Sequence, residues 1–199
     1  LSATIDKPED FASWLGDLKQ KPINLIIKNK RIIPLTHYYY NNETLMEIAD
    51  NDGNFKNYDV LRDEYKIQSI NKLMNPFVNF LNKNEFLPCL FFIFSRAKCE
   101  KYCKMIQKHL ITTEESCLVD KIFNSKLSKY KHLYQQTPQY NELYSLLKKG
   151  IAYHHSGVIP VLKEIVEILF EQGLVKILFC TETFAVGINA PTKTAIFTR

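Results

Sequence analysis

The sequence predicts an α/β fold built on a parallel sheet, and two observations carry that reading. In the last fifty residues the apolar run "GIAYHH" is followed by the helix-period segment "IPVLKEIVEILFEQ", then by a second run "LVKILFC" and a third, "TKTAIFT". Earlier, "PCLFFIFS" (88–95) runs directly into "AKCEKYCKMIQKHL", again a strand and then a helix. Strands that alternate with helices at this spacing pair in parallel, with right-handed crossovers.

Each element follows from its local pattern. Asp6 is placed to cap a short helix that carries Pro8, Glu9 and Asp10 in its first turn, with Phe11, Trp14, Leu15 and Leu18 recurring at helical spacing. "INLIIK" (23–28) reads as a buried strand. "RIIPLTHYYY" (31–40) reads as extended, with Ile33, Leu35, His37 and Tyr39 on one face, and Pro34 argues for an edge position. Residues 41–58 are rich in Asn and Asp, and 41–68 is expected to be a mobile loop. A helix is expected from about Ser69 to Asn82, interrupted near Pro76, and residues 111–137 are expected to be helical in part. "PQYNELYSLLKK" is an amphipathic helix stopped by Gly150. Ile159, Leu162, Ile165, Val166, Leu169 and Phe170 form the inward face of the next helix, which Gly173 ends.

The 199 residues can hold one well-buried domain, or one domain and a fragment of another. The missing initiator Met points to a fragment. Apolar residues make up 46% and charged residues 24%, the balance of a soluble globular protein. No apolar run approaches the roughly 20 residues that span a bilayer. The N-terminal "LSATIDKPED" has no basic region followed by an apolar core, so it is no secretory signal, and an intracellular protein is expected, nuclear or cytoplasmic alike. Five cysteines, an odd number, read as reduced and mostly buried thiols. Residues 96–149 hold eleven Lys/Arg against five Asp/Glu, so this sector carries +6 of a net +5. Such a sector suits a polyanion, and a set of solvated helix faces has the same composition.

Three strand exits carry polar clusters: Ser95-Arg96, His155-Ser156-Gly157, and Thr181 to Asn189 within "TETFAVGINAP". All three are expected at the carboxyl edge of the sheet, where ligands of open α/β folds bind. Hydroxyls, free backbone N–H groups and a lone Arg make a surface for oxyanions, and a phosphate backbone is the natural occupant. The bland alternative has the hydroxyls capping helices and the glycines turning the chain. His154 and His155 are strand neighbours pointing to opposite faces, so they do not chelate one metal. Cys99 and Cys103 share a helix face near His109 but lack a fourth ligand, so no zinc site is expected. No G-x-x-x-x-G-K-[ST] loop and no G-x-G-x-x-G fingerprint occurs, and Asp63-Glu64 lies outside any strand, so the triphosphate site is incomplete.

The motifs resemble those of superfamily two DExH-box RNA helicases of the superkiller, exosome-associated type. "LSATI" is similar to their Ser-Ala-Thr element, "RIIPLTHYYY" to an Arg-x-x-Pro-Leu-x-His-Tyr segment and "FFIFSRAKCEKYC" to their motif IV. The stretch from "GIAYHHSG" to "TFAVGINAP" resembles the following motif and motif V. The resemblance covers nearly the whole chain, apart from 41–68 and 111–137. It implies a RecA-like parallel sheet with helices on both faces, of the P-loop NTPase type but without a P-loop of its own. Residues 1–20 would end a first RecA-like domain, and 21–199 would form most of a second, cut before motif VI.

The resemblance also assigns roles where residues match. Ser2 and Thr4 would couple ATP state to domain closure. Ser95, Arg96, His155, Ser156, Gly157, Thr181, Glu182 and Thr183 would line the RNA backbone path, while Gly187 and Asn189 would face the nucleotide. ATP and Mg2+ would be bound mainly by the preceding domain. The partners implied are single-stranded RNA with a 3′ overhang and the RNA exosome or its cofactors, with no membrane. The intact protein would be an ATP-dependent RNA helicase moving 3′ to 5′, and the isolated piece would be inactive. The alternatives are a non-catalytic RecA-like module that binds nucleic acid or protein, or a related DNA helicase. Cys180 and Ser156 stand where the family more often has a smaller Ala or Ser, and an Ala.

Overall fold

The computed structural model describes residues 5–28, 33–41, 44–57, 70–128, 131–181, 184 and 191–198. The chain divides into two compact units, 1–64 and 65–199. In the first, α1 (Pro8–Lys19) begins with a proline at its first turn and carries Glu9 and Asp10 there, which suits the positive end of the helix dipole. The cap position falls on Lys7, which makes no side-chain cap bond, so Asp6 is not the cap expected. Pro8 itself opens the helix and places Asp6 one residue too early.

The segment "INLIIK" corrects a second expectation. Residues 22–28 form no strand with any described residue, and Ile23, Leu25, Ile26 and Ile27 are 39–85% exposed. An apolar run becomes a strand only where a neighbour takes up its N–H and C=O groups, and no described residue does so. The expected 41–68 loop also contains a strand. β1 (His37–Asn41) pairs antiparallel with β2 (Thr44–Ala49), in the register Tyr38↔Glu47, Tyr39↔Met46 and Tyr40↔Leu45. The Asn/Asp-rich stretch that follows is a turn built on Asp50. Its Oδ1 accepts from the N–H groups of Asp52 and Asn54 at 3.0 and 2.9 Å, and Gly53 takes a left-handed φ of 83°.

The second unit is an α/β layer structure. Its strands are β3 (Cys89–Phe92), β4 (Ile151–His154), β5 (Ile177–Cys180) and β6 (Thr194–Phe197). They form one parallel sheet in the order β4-β5-β3-β6, with His154, Cys180, Phe92 and Phe197 level at its carboxyl edge. The helices are α2 (Ile70–Lys83), α3 (Arg96–Met105), α4 (Thr113–Leu127), α5 (Lys131–Tyr134), α6 (Pro138–Leu147) and α7 (Pro160–Glu171). Successive residues leaving β4 show that helices cover both faces: His154 bonds Glu167 of α7, while His155 bonds Glu100 of α3.

The core is apolar and aromatic. Phe91 stacks on Phe179 across β3 and β5 at 4.6 Å, and Cys89, Cys99, Cys103 and Cys180 are fully buried among these side chains. Burial raises the Cys180 thiol to about 12, so it is a packing group and not a nucleophile. Cys117 is exposed. Helix α2 runs unbroken through Pro76, against the interruption expected. Pro76 is on the exposed face, where water can serve the carbonyl that its missing N–H leaves free. Its neighbour Asn75 finishes α3: Nδ2 donates to Met105 O at 3.0 Å and Oδ1 accepts from Gln107 N–H at 3.1 Å. The polar 111–137 stretch is mostly helix, opened by a reciprocal capping box between Thr112 and Glu115.

Candidate functional site

The sheet order brings the three polar exits side by side. β4, β5 and β3 are consecutive neighbours and all parallel, so His155, Thr181 and Ser95 leave adjacent strands at one edge. Glu182, Thr183, Gly187 and Asn189 lie outside the described residues, as do Ser2 and Thr4.

At the β3 exit, Ser95 is the N-cap of α3, and its Oγ accepts from Lys98 N–H at 3.4 Å. The bland reading of this hydroxyl therefore holds in part, although its own proton remains available to donate outward. Arg96 follows at the first helical position and is exposed. Among the described residues no carboxylate forms an ion pair with it, and the same is true of Lys98 and Lys101. Three other lysines of the basic sector are spent on partners: Lys104 on Glu142 at 2.7 Å, Lys148 on Asp120 at 3.1 Å and Lys126 on Glu164 at 3.4 Å. Arg96 stands at the start of α3, at the sheet's carboxyl edge, and Lys98 follows it in the same turn.

At the β4 exit, the side chains do different jobs from those their adjacency suggests. His155 is only 2% exposed, and both ring nitrogens are engaged. Nδ1 accepts from Gly157 N–H at 3.1 Å, which leaves the neutral ring's proton on Nε2 to donate to Glu100 Oε1 at 3.1 Å. The ring also stacks on Tyr153 at 5.5 Å. His155 therefore shapes the turn from inside, and the exposed groups are Ser156 and Gly157. Expected free N–H groups are largely used up: Val158 N–H donates to His155 O at 3.0 Å, and Ile159 N–H to Gln139 Oε1 at 2.8 Å. A Cβ on Gly157 would stand 3.7 Å from Arg96 Cδ, which places the two exits in contact distance of each other.

Both histidines are held below their ordinary value chiefly by burial, which penalises the imidazolium. Glu167 partly offsets this for His154, and Glu100 does so for His155, where the Arg96 charge pushes further down. At neutral pH both rings are neutral, as the hydrogen bond into His155 Nδ1 requires.

At the β5 exit, Thr181 is 8% exposed, its N–H faces His154 O at 3.4 Å, and its carbonyl accepts from Phe184 N–H at 3.1 Å. Phe184 in turn packs edge-on against His154 and Phe170. Glu100, Glu167 and Gln139 carry the site's internal bonds and escaped the sequence reading. Their partners lie 55, 13 and 18–20 residues away, and no local pattern marks such pairs.

No family model matches the chain. It is 36% identical to the mouse protein named exosome RNA helicase MTR4 over 218 aligned positions, covering 100% of this chain and 21% of that protein. It is 34% identical to mRNA transport homolog 4 of Caenorhabditis elegans, again over 100% of this chain and 21% of the relative. To mouse superkiller complex protein 2 it is 32% identical, over 99% of this chain and 18% of that protein. The chain thus spans about a fifth of the length of the curated relatives it matches. Its parallel sheet, flanked by helices, has the architecture of a RecA-like helicase domain. By sequence and architecture together, the chain belongs to the DExH-box RNA helicases of the superkiller and MTR4 type.

Proposed function

We propose that this chain is the coupling half of an ATP-dependent RNA helicase that moves 3′ to 5′ along single-stranded RNA, in partnership with the RNA exosome or its cofactors. Residues 1–20 would close a first RecA-like domain, and 21–199 would supply most of the second. Ser95, Arg96, Ser156, Gly157 and Thr181 to Thr183 would face RNA phosphates, with His155 acting through the turn it holds. Gly187 and Asn189 would face the nucleotide, and Ser2 and Thr4 would link its state to domain closure. The observation that supports this most is the alignment of three polar exits on adjacent parallel strands, with Arg96, which no described carboxylate pairs, beside Gly157. A phosphate backbone, read for position and not for sequence, suits such a surface.

ATP and Mg2+ belong to this proposal as groups of the intact protein. Among the described residues, no three His, Cys, Asp or Glu side chains converge to hold a metal ion. The family resemblance, and not this absence, is the ground for placing ATP and Mg2+ mainly on a first RecA-like domain. No described helix is long and apolar enough to cross a membrane. A non-catalytic module or a DNA helicase is less favoured, because the relatives are named as RNA helicases.

Arg96→Gln in the intact protein tests the reading. A hydrogen bond to a charged group contributes about 1.5–3 kcal/mol, so RNA affinity is expected to fall by roughly ten- to hundred-fold. The log–log salt slope should fall by about 0.7, one phosphate's share on a single strand. Unchanged affinity and slope would remove Arg96, and with it this edge, from the RNA path.

A further inference from the structure

Gln139 stands in the first turn of α6, one residue after Pro138, and outside every motif-like segment of the sequence. Its carboxamide reaches across to the turn that leaves β4. Nε2 donates to Gly157 O at 3.3 Å, and Oε1 accepts from Ile159 N–H at 2.8 Å. Only this orientation of the amide satisfies both partners, because a carbonyl cannot donate and an N–H cannot accept. The helix that carries it is itself fixed. Thr137 caps it by accepting from Tyr140 N–H at 3.3 Å, and α6 packs against β4 and α7.

Two internal bonds hold the same turn from the other side, Gly157 N–H to His155 Nδ1 and Val158 N–H to His155 O. The N–H groups of 157, 158 and 159 are therefore all engaged. What the turn presents outward is set by this clamp: exposed Ser156 and Gly157, next to Arg96.

We propose that Gln139 is a positioning residue, which holds Ser156 and Gly157 beside Arg96 at the RNA-facing edge and acts on RNA only through that turn. This rests on the reading of the edge as an RNA-backbone surface. A contact surface held from a rigid helix keeps its geometry when phosphates arrive, and ordering cost is avoided at that moment.

The test uses the intact protein with Gln139→Met, which keeps the length of the side chain and removes both hydrogen bonds. A second variant, Gln139→Glu, keeps an acceptor for Ile159 N–H and loses the donor to Gly157 O. Amide hydrogen exchange, melting temperature and equilibrium binding to single-stranded oligouridylate are measured for both, with Arg96→Gln alongside. For Gln139→Met the expectation is about tenfold faster exchange at Ile159, with the later turns of α7 unchanged. Oligouridylate binding should be about tenfold weaker, about 1.4 kcal/mol, with a melting shift below about 4 °C. Gln139→Glu should keep the Ile159 amide protected and lie between wild type and Gln139→Met in affinity.

Unchanged exchange at Ile159, whose N–H Gln139 accepts, would overturn the clamp. So would faster exchange with unchanged affinity, or an affinity loss that merely follows a general loss of fold. If Arg96→Gln leaves binding intact, the edge is not an RNA surface and the proposal falls with it. If Arg96→Gln weakens binding and Gln139→Met does not, only the clamp is lost.

Discussion

Replacing Gly157 by alanine adds one methyl group to the turn at the β4 exit, and the outcome depends on whether His155 can yield. The φ of Gly157 lies outside the left-handed region, so alanine meets no backbone strain there. The new Cβ would stand 3.2 Å from His155 Nδ1, 3.3 Å from Cε1 and 3.7 Å from Arg96 Cδ. The last is an ordinary contact, but the first two require the imidazole to move by a few tenths of an ångström. It has little room, being 2% exposed, stacked on Tyr153 and tied to Glu100 at 3.1 Å. Two effects therefore compete. Alanine restricts the unfolded chain, which stabilises by about 0.4–1 kcal/mol. Displacing the ring strains the bonds at both of its nitrogens, each with a net contribution of about 0.5–1.5 kcal/mol. The second effect wins, with a net destabilisation of about 1 kcal/mol, or a melting temperature lowered by about 2–4 °C for a chain of this size. Because the turn presents Ser156, RNA affinity should fall several-fold in the same variant. Thermal melts and binding to a single-stranded oligonucleotide read both. A raised melting temperature with unchanged affinity would show that the ring is free to retreat and that the turn is not set by it.

Two further outcomes follow from the same structure. Burial lowers both histidines in the folded state, so below about pH 6.5 the unfolded chain takes up protons first. The stabilisation they give is complete above that value and is lost as pH falls through the lowered folded values. The slope is at most about 1.4 kcal/mol per pH unit for each ring. Denaturant melts between pH 7.5 and 5 should show it and His154→Gln should reduce it, whereas a flat profile would place both rings in contact with water. Gly150→Ala combines a left-handed φ of 78° with a Cβ 2.6 Å from Ile111 Cγ2. It should destabilise by about 2–4 kcal/mol, and a loss below about 1 kcal/mol in urea melts would show that the 110–111 segment relaxes freely.

Much of the second unit was legible because its signals are local. Strands such as "FFIF" and "ILFC" are continuous apolar runs, as sheets covered on both faces require, and Gly150 and Gly173, read as helix stops, follow the ends of α6 and α7 with φ of 78° and 71°. The juxtaposition of three exits also followed from parallel topology alone. Partnership was not legible. "INLIIK" has the composition of a buried strand, yet composition does not say whether a neighbouring strand is present, and its isoleucines are exposed. Residues 41–68 read as a loop because Asn and Asp are prominent over 41–58, but 44–49 form the strand "TLMEIA", paired with β1, and Asp50 organises the turn that follows it. At the β4 exit, the sequence singled out His155, but the direction its ring takes was not legible. Whether a ring faces solvent or a carboxylate 55 residues earlier is decided by helix packing, and Gln139 escaped notice for the same reason.

Cross-linking of the intact protein to a single-stranded oligonucleotide carrying photoreactive uridines tests the central claim most directly. The expected adducts map to Ser95-Arg96, to Ser156-Gly157 and to the segment beginning at Thr181, all at the carboxyl edge of the sheet, and Arg96→Gln should deplete them together. The opposite edge carries its own shallow groove, lined by Asn82, Glu85, Lys176 and Lys193. Adducts confined to that groove, with none at the three strand exits, would contradict the account.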